Sequence, residues 1–121
     1  MVIQRAPRVG QTFGSYVVSF SRTKKLRVEL YLDLLDKDRT KQAFDKLLEK
    51  KSEFEAQLGP LEWERLDNRR ASRIALYKDG QITEEDKLPE LRSWAVNTMH
   101  KLYNTTVEPV EKIIREIKQQ G

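Results

Sequence analysis

Three glutamates and five basic residues are the side chains whose types and spacing suit chemistry: Glu29, Glu62 and Glu64, and Lys24, Lys25, Arg69, Arg70 and Arg73. Glu62 and Glu64 stand two apart, so in a strand they leave one face together. With Glu29 on a neighbouring strand they are a weak candidate cluster for magnesium, which takes oxygen ligands. Arg27 and Arg73 belong to the same face, and opposite charges on facing strands pair. Cross-strand salt bridges are therefore the simpler account. Arg69, Arg70 and Arg73 crowd the tip of a hairpin, and Lys24 and Lys25 sit in another turn. Arginine forks hold phosphate bidentately, and a two-stranded ribbon fits a major groove. These five residues are the candidate nucleic-acid contact if the two turns cluster. If Arg70 and Arg73 pair with Glu62 and Glu64 instead, the tip is structural.

Other chemistry is poorly provided for. The single histidine, His100, lies in a helical stretch beside Lys101, and no cysteine is present. A nucleophile with a histidine base, a zinc site and a disulfide framework are thereby disfavoured or excluded. The glycines are scattered and make no phosphate loop. Glu49-Lys50-Lys51 and Glu85-Asp86-Lys87 match the acid-x-lysine fragment of metal-dependent nucleases, but neither falls on a strand. No catalytic residue and no cofactor is assigned.

Charged residues make up 35% of the chain, 23 basic against 19 acidic, for a net charge of +4. Both signs are mixed, so the charge permits an acidic partner without demanding one. The sequence has no run near the ~20 apolar residues that cross a bilayer and no apolar signal region at its start. With no cysteine, that suits a cytoplasmic protein without a membrane partner.

The elements that position these residues follow from periodicity. Leu61 to Tyr77 reads as two strands joined at Asp67-Asn68-Arg69-Arg70, with Leu61, Trp63, Ile74 and Leu76 on the buried side. Ser15–Arg22 and Leu26–Asp33 alternate in the same way, with Leu26, Val28, Leu30 and Leu32 on one face. A helix capped by Asp36 or Asp38 runs to about Leu58, where Gly59-Pro60 stops it. Its apolar stripe is Phe44, Leu47, Leu48, Phe54 and Leu58; Lys41 is placed with the solvated residues. A second long helix spans 83–104 on Leu91, Trp94, Ala95, Thr98, Met99 and Leu102. Pro109 kinks it or opens a third helix.

The sum is an α+β two-layer sandwich: a four-stranded antiparallel sheet with two long helices on one face, ββαββα, plus a C-terminal helical extension. Residues 1–14 are an arm, 15–106 a single domain and 107–121 the extension. The apolar stripe Val110, Ile113, Ile114 and Ile117 has no partner in that count, which makes it a candidate surface for a homodimer.

Four blocks carry a family resemblance: VELYLD (Val28 to Asp33), FDKLLEKKSEFEAQLG (Phe44 to Gly59), LEWERLDNRRASRIALY (Leu61 to Tyr77) and LRSWAVNTMHKLY (Leu91 to Tyr103). Over roughly residues 15 to 105 the chain resembles the bacterial and archaeal domain of unknown function 4268. Members of that family often form the C-terminal part of longer proteins whose N-terminal part resembles a restriction-type nuclease. The resemblance implies a non-catalytic accessory domain of a nuclease or DNA-defence protein, contacting DNA or a nuclease partner. The alternatives from the residues themselves are a protein-interaction or homo-oligomerisation module, and a carboxylate-metal enzyme.

Overall fold

Alternating side chains set the sheet, and the two long amphipathic segments roof it. The structure, a computed structural model, describes residues 2–5, 14–21, 24–80 and 83–119. Five strands lie in the order β1-β2-β3-β5-β4, every neighbour antiparallel. They are β1 (Val2–Arg5), β2 (Gly14–Phe20), β3 (Lys25–Leu32), β4 (Glu62–Glu64) and β5 (Ser72–Asp79). Among the described residues there are three helices: α1 (Lys37–Leu48) and α2 (Lys51–Leu58) between β3 and β4, and α3 (Leu88–Gln119) after β5, preceded by a 3-10 turn at Glu85–Lys87.

The α+β sandwich expected from periodicity is present. β1 adds a fifth strand at the β2 edge, taken from the segment read as an arm; the remainder of that segment, 6–13, lies outside the described residues, as do Arg22, Thr23, Gln81 and Ile82. Register puts Tyr16 opposite Leu30 and Leu30 opposite Ile74, and Val18 opposite Val28 and Val28 opposite Leu76. These rows face the helices and are buried, Leu76 partly, with Phe44, Leu47, Phe54, Leu91 and Leu102 packed onto them.

Asp36 caps α1, its side chain accepting from Arg39 N at 3.2 Å. Glu49 and Lys50 interrupt what the sequence presents as one helix. The break lets both flanking helices reach Trp63: Phe54 stacks on its ring at 6.4 Å and Phe44 meets it edge-on at 6.0 Å. Leu48 does not join the stripe assigned to it. It ends α1 39% exposed, while Lys41 is buried. Gly59, at φ 78, closes α2 with its N–H on Glu55 O. Gly80 packs so tightly that a Cβ there would fall 2.7 Å from the Leu91 side chain.

α3 is continuous through Pro109, about 48 Å long at 1.5 Å per residue. Proline removes one helical hydrogen bond, the one Thr105 O would accept. Tertiary burial outweighs that loss, because Val110, Ile113, Ile114 and Ile117 are all packed in the core. The stripe assigned to a second copy is thus satisfied inside this chain, and the residues expected to form an extension complete the roof. Tyr16 and Thr106 meet beneath it at 2.7 Å, and Thr106 Oγ1 donates to Leu102 O at 2.7 Å. A hydroxyl has one proton, so Tyr16 donates to Thr106. Burial pushes the Tyr16 phenol well above its ordinary range. Among the described residues no helix is long and apolar enough to cross a membrane.

Candidate functional site

The sheet face away from the helices is built from the odd-numbered residues of β3 and β5. Its centre is Glu29, 4% exposed, with Arg27 Nε 3.6 Å from Oε1 and Arg73 Nη1 3.6 Å from Oε2. Arg73 Nε lies 3.3 Å from Glu64 Oε1, and Tyr77 donates its hydroxyl to Glu64 Oε2 at 2.5 Å. Arg27 Nη2 donates to Ser19 Oγ at 3.1 Å. Two cations thus face two anions. Among the described residues Arg27 Nε and Arg73 Nε are buried and complete no hydrogen bond, so their attraction there is electrostatic rather than directed. Burial, with the bond to Glu64, raises the Tyr77 pKa.

The three glutamates do not converge. Glu62 pairs in register with Ala75, and Ala75 with Glu29, so a whole strand separates the two carboxylates. Among the described residues no group of three or more His, Cys, Asp or Glu is arranged to hold a metal ion. Glu29 and Glu64 instead take the arginines, Arg27 and Arg73, in the salt-bridge arrangement that opposite charges on facing strands favour. The two acid-x-lysine fragments fall at the α1–α2 break and in the 3-10 turn.

The five basic residues are dispersed to three places. Lys25 pairs in register with Asp79 and Leu32 with Ser72, so the Lys24–Lys25 turn and the Arg69–Arg70 tip lie at opposite ends of β3 and β5. Seven residue steps at ~3.3 Å put them ~23 Å apart. Lys24 is exposed at φ 64, and Lys25 Nζ reaches Asp79 Oδ1 at 4.0 Å. Arg73 belongs to the ion-paired face.

The tip end is the more elaborate. Arg70 grips Asp33 with both prongs, Nε to Oδ1 at 2.9 Å and Nη2 to Oδ2 at 2.8 Å. Asp33 Oδ1 also accepts from Leu35 N at 2.9 Å. Burial pushes the Asp33 carboxyl up, but the Arg70 fork and the Leu35 amide outweigh it and hold the group below its ordinary value. Leu35 sits at φ 62 with 63% of its surface in water, and Tyr31, 37% exposed, lies within electrostatic reach of Arg70. Arg69 is exposed and makes no ion pair among the described residues.

Lys41 anchors this end from below. Its ammonium donates to Arg65 O, Leu66 O, Ala71 O and Ser72 Oγ at 2.5 to 2.9 Å. Three protons serve four acceptors, and the β4–β5 loop, with Leu66 at φ 56, is wrapped around them. Burial and the nearby Arg65 charge lower the Lys41 pKa. Arg65 itself binds Asp45 at 2.9 and 3.0 Å and also Asp67. An open cleft of about 520 Å³ runs past these groups, lined by both signs of charge.

Lys41, Asp33, Leu35 and Arg65 are what the sequence reading passed over. Lys41 had a legible signal: it lies three residues before Phe44, on the edge of the apolar stripe. The Asp33–Arg70 pair had none, since its partners are 37 residues apart.

The family described as Domain of unknown function (DUF4268) has a model that matches residues 9–110. No curated protein and no solved structure matches the chain.

Proposed function

The chain belongs to the domain of unknown function 4268 family, and on that premise we propose that it is a non-catalytic accessory domain that docks on a partner protein. The partner class implied by the family resemblance is a restriction-type nuclease part. The supporting observation is Leu35: a leucine in the left-handed region and 63% exposed. That conformation costs roughly 1–2 kcal/mol for a residue with a Cβ, and water gives a leucine there nothing in return. Strained residues cluster at contact sites. Asp33 joins it to Arg70, accepting from the Leu35 amide and the Arg70 fork, and Tyr31 lies within electrostatic reach of Arg70. Arginine and tyrosine are residue types that dominate binding energy at interfaces. Asp33 fixes Arg70 in advance, which reduces the ordering lost on docking.

Dispersal of the basic groups weighs against duplex DNA as the main ligand. Such binding draws on several phosphate contacts at once. Here the Arg70 fork is engaged by Asp33, Arg73 by Glu29 and Glu64, and the lysine turn is at the far end.

The test uses the nuclease-like part of a longer family member, expressed separately and titrated calorimetrically against this chain. Binding is expected, weakened at least about tenfold by Leu35→Asp. No binding, or binding indifferent to Leu35→Asp, removes the proposal. Duplex DNA binding that falls steeply between low and physiological salt, and drops in Arg69→Ala, replaces it with a DNA contact.

A further inference from the structure

We infer that the outer edge of β5, from Tyr77 to Asp79, takes up an extended segment of a partner protein by strand addition, with alternate side chains of that segment entering the groove beside it. This site is separate from the Leu35 end and does not depend on it. β5 pairs along its whole length with β3, whereas β4 covers only Arg73, Ile74 and Ala75. Gly80 N donates toward β3, to Lys24 O at 3.3 Å. Backbone polar groups alternate sides along an antiparallel strand. The even-numbered residues therefore bond β3, and Arg73, Ala75, Tyr77 and Asp79 point outward. Arg73 and Ala75 meet β4. Extrapolating the register sets Pro60 opposite Tyr77, where proline has no N–H to give, and the chain turns away into α2. Tyr77 and Asp79 are left at an edge with no strand beside them among the described residues.

A groove of about 290 Å³ adjoins that edge on the helix side. Leu58, Leu76 and Trp94, all half-buried, form its apolar surface, and Lys101 is its one charged lining residue. Leu76 shares the groove-facing side of β5, so an added strand would send every second side chain the same way. The free backbone edge selects an extended chain, since a helix has no outward peptide groups to match it. The groove selects apolar residues at alternate positions, and Lys101 selects an acidic neighbour. The occupant is thus an extended apolar–acidic peptide segment.

The probe is a phage-displayed library of random decapeptides selected on the full chain, with the winning sequence then synthesised. Winners are expected to alternate apolar residues with an acidic flank. Amide exchange at Tyr77 and Asp79 is expected to slow at least about tenfold on binding, with Arg73 and Ala75 unchanged. Thr98→Arg fills the groove from a half-exposed position on α3 and should weaken binding about tenfold, with circular dichroism unchanged. Lys101→Glu should turn the selection toward basic flanks. Leu35→Asp should leave peptide binding intact, which separates this site from the one proposed above. Patternless winners, protection elsewhere, or equal binding by Thr98→Arg overturn the inference. So does protection of Tyr77 and Asp79 that grows with the protein's own concentration, which makes a second copy the occupant.

Discussion

The two ends of the central strand pair carry similar charge and use it differently. At the Leu32–Ser72 end, cations are tied into the architecture: Lys41 inside a ring of backbone acceptors, Arg70 on Asp33, Arg65 on Asp45 and Asp67. At the Lys25–Asp79 end, an exposed lysine faces an exposed aspartate across 4.0 Å of water-accessible space. Composition sees the same residues at both ends. The difference lies in the acceptors. The β4–β5 loop turns Arg65 O, Leu66 O and Ala71 O onto the Lys41 ammonium, whereas Ser21 O and Lys24 O are already taken by the backbone amides of Lys24 and Gly80, and the Lys24 side chain stays in solvent. Basic residues are therefore poor markers of a nucleic-acid surface until their partners are known.

Lys41→Met should break this contrast most severely. It leaves the buried Ala71 O without its ammonium donor and strips one of two donors from Arg65 O and Leu66 O, which keep Ser72 Oγ and Arg69 N, for a loss of about 1–3 kcal/mol. Urea denaturation measures it, and a loss under ~1 kcal/mol would mean that the loop holds itself. Leu35→Gly should act in the opposite direction. Relief of the left-handed strain is expected to raise stability by about 0.5–1 kcal/mol, while partner binding falls. An unchanged or lower stability would show that Leu35 packs usefully in the free protein.

Acid should weaken the elaborate end at Asp33 and the α2–β4 corner at Glu55. Asp33 and Glu55 titrate below their ordinary values in the folded chain; Glu55 does so because it accepts from Leu61 N and Trp63 Nε1. A depressed carboxyl contributes stability that is full above its unfolded pKa and lost as pH falls through the folded one. Thermal midpoints should therefore decline below pH 4.5, the ordinary glutamate value, and Asp33→Asn should flatten part of that decline. A variant that tracks the wild type down to pH 3 contradicts the assignment to Asp33. The smallest effect belongs to the plain end: Lys24→Ala and Lys25→Ala should each stay within about 0.5 kcal/mol of the wild type.

Periodicity made the layers legible because each strand and helix repeats its burial pattern over several turns. Val28, Leu30, Ile74, Phe44 and Leu102 all lie where alternation or helical spacing puts them. Leu48 and Lys41 were exchanged, since spacing locates a stripe but not its exact margin, and the acceptors for Lys41 come from 24 to 31 residues away. Continuity through Pro109 was hidden for a similar reason: local propensity argues for a break, and the burial of Ile113, Ile114 and Ile117 overrides it. The Leu35 end was not legible at all. Nothing in a single sequence announces a positive φ at a leucine.

The family signature stops at residue 110, yet the hydrophobic interior continues through Ile117. Signature and physical unit are therefore different objects. A version of the chain trimmed at 110 would keep everything that identifies it and still have an open seam along β2 and β3, adhesive to any apolar surface it met. Loss of solubility in such a version would speak about a missing rafter, not about a missing activity.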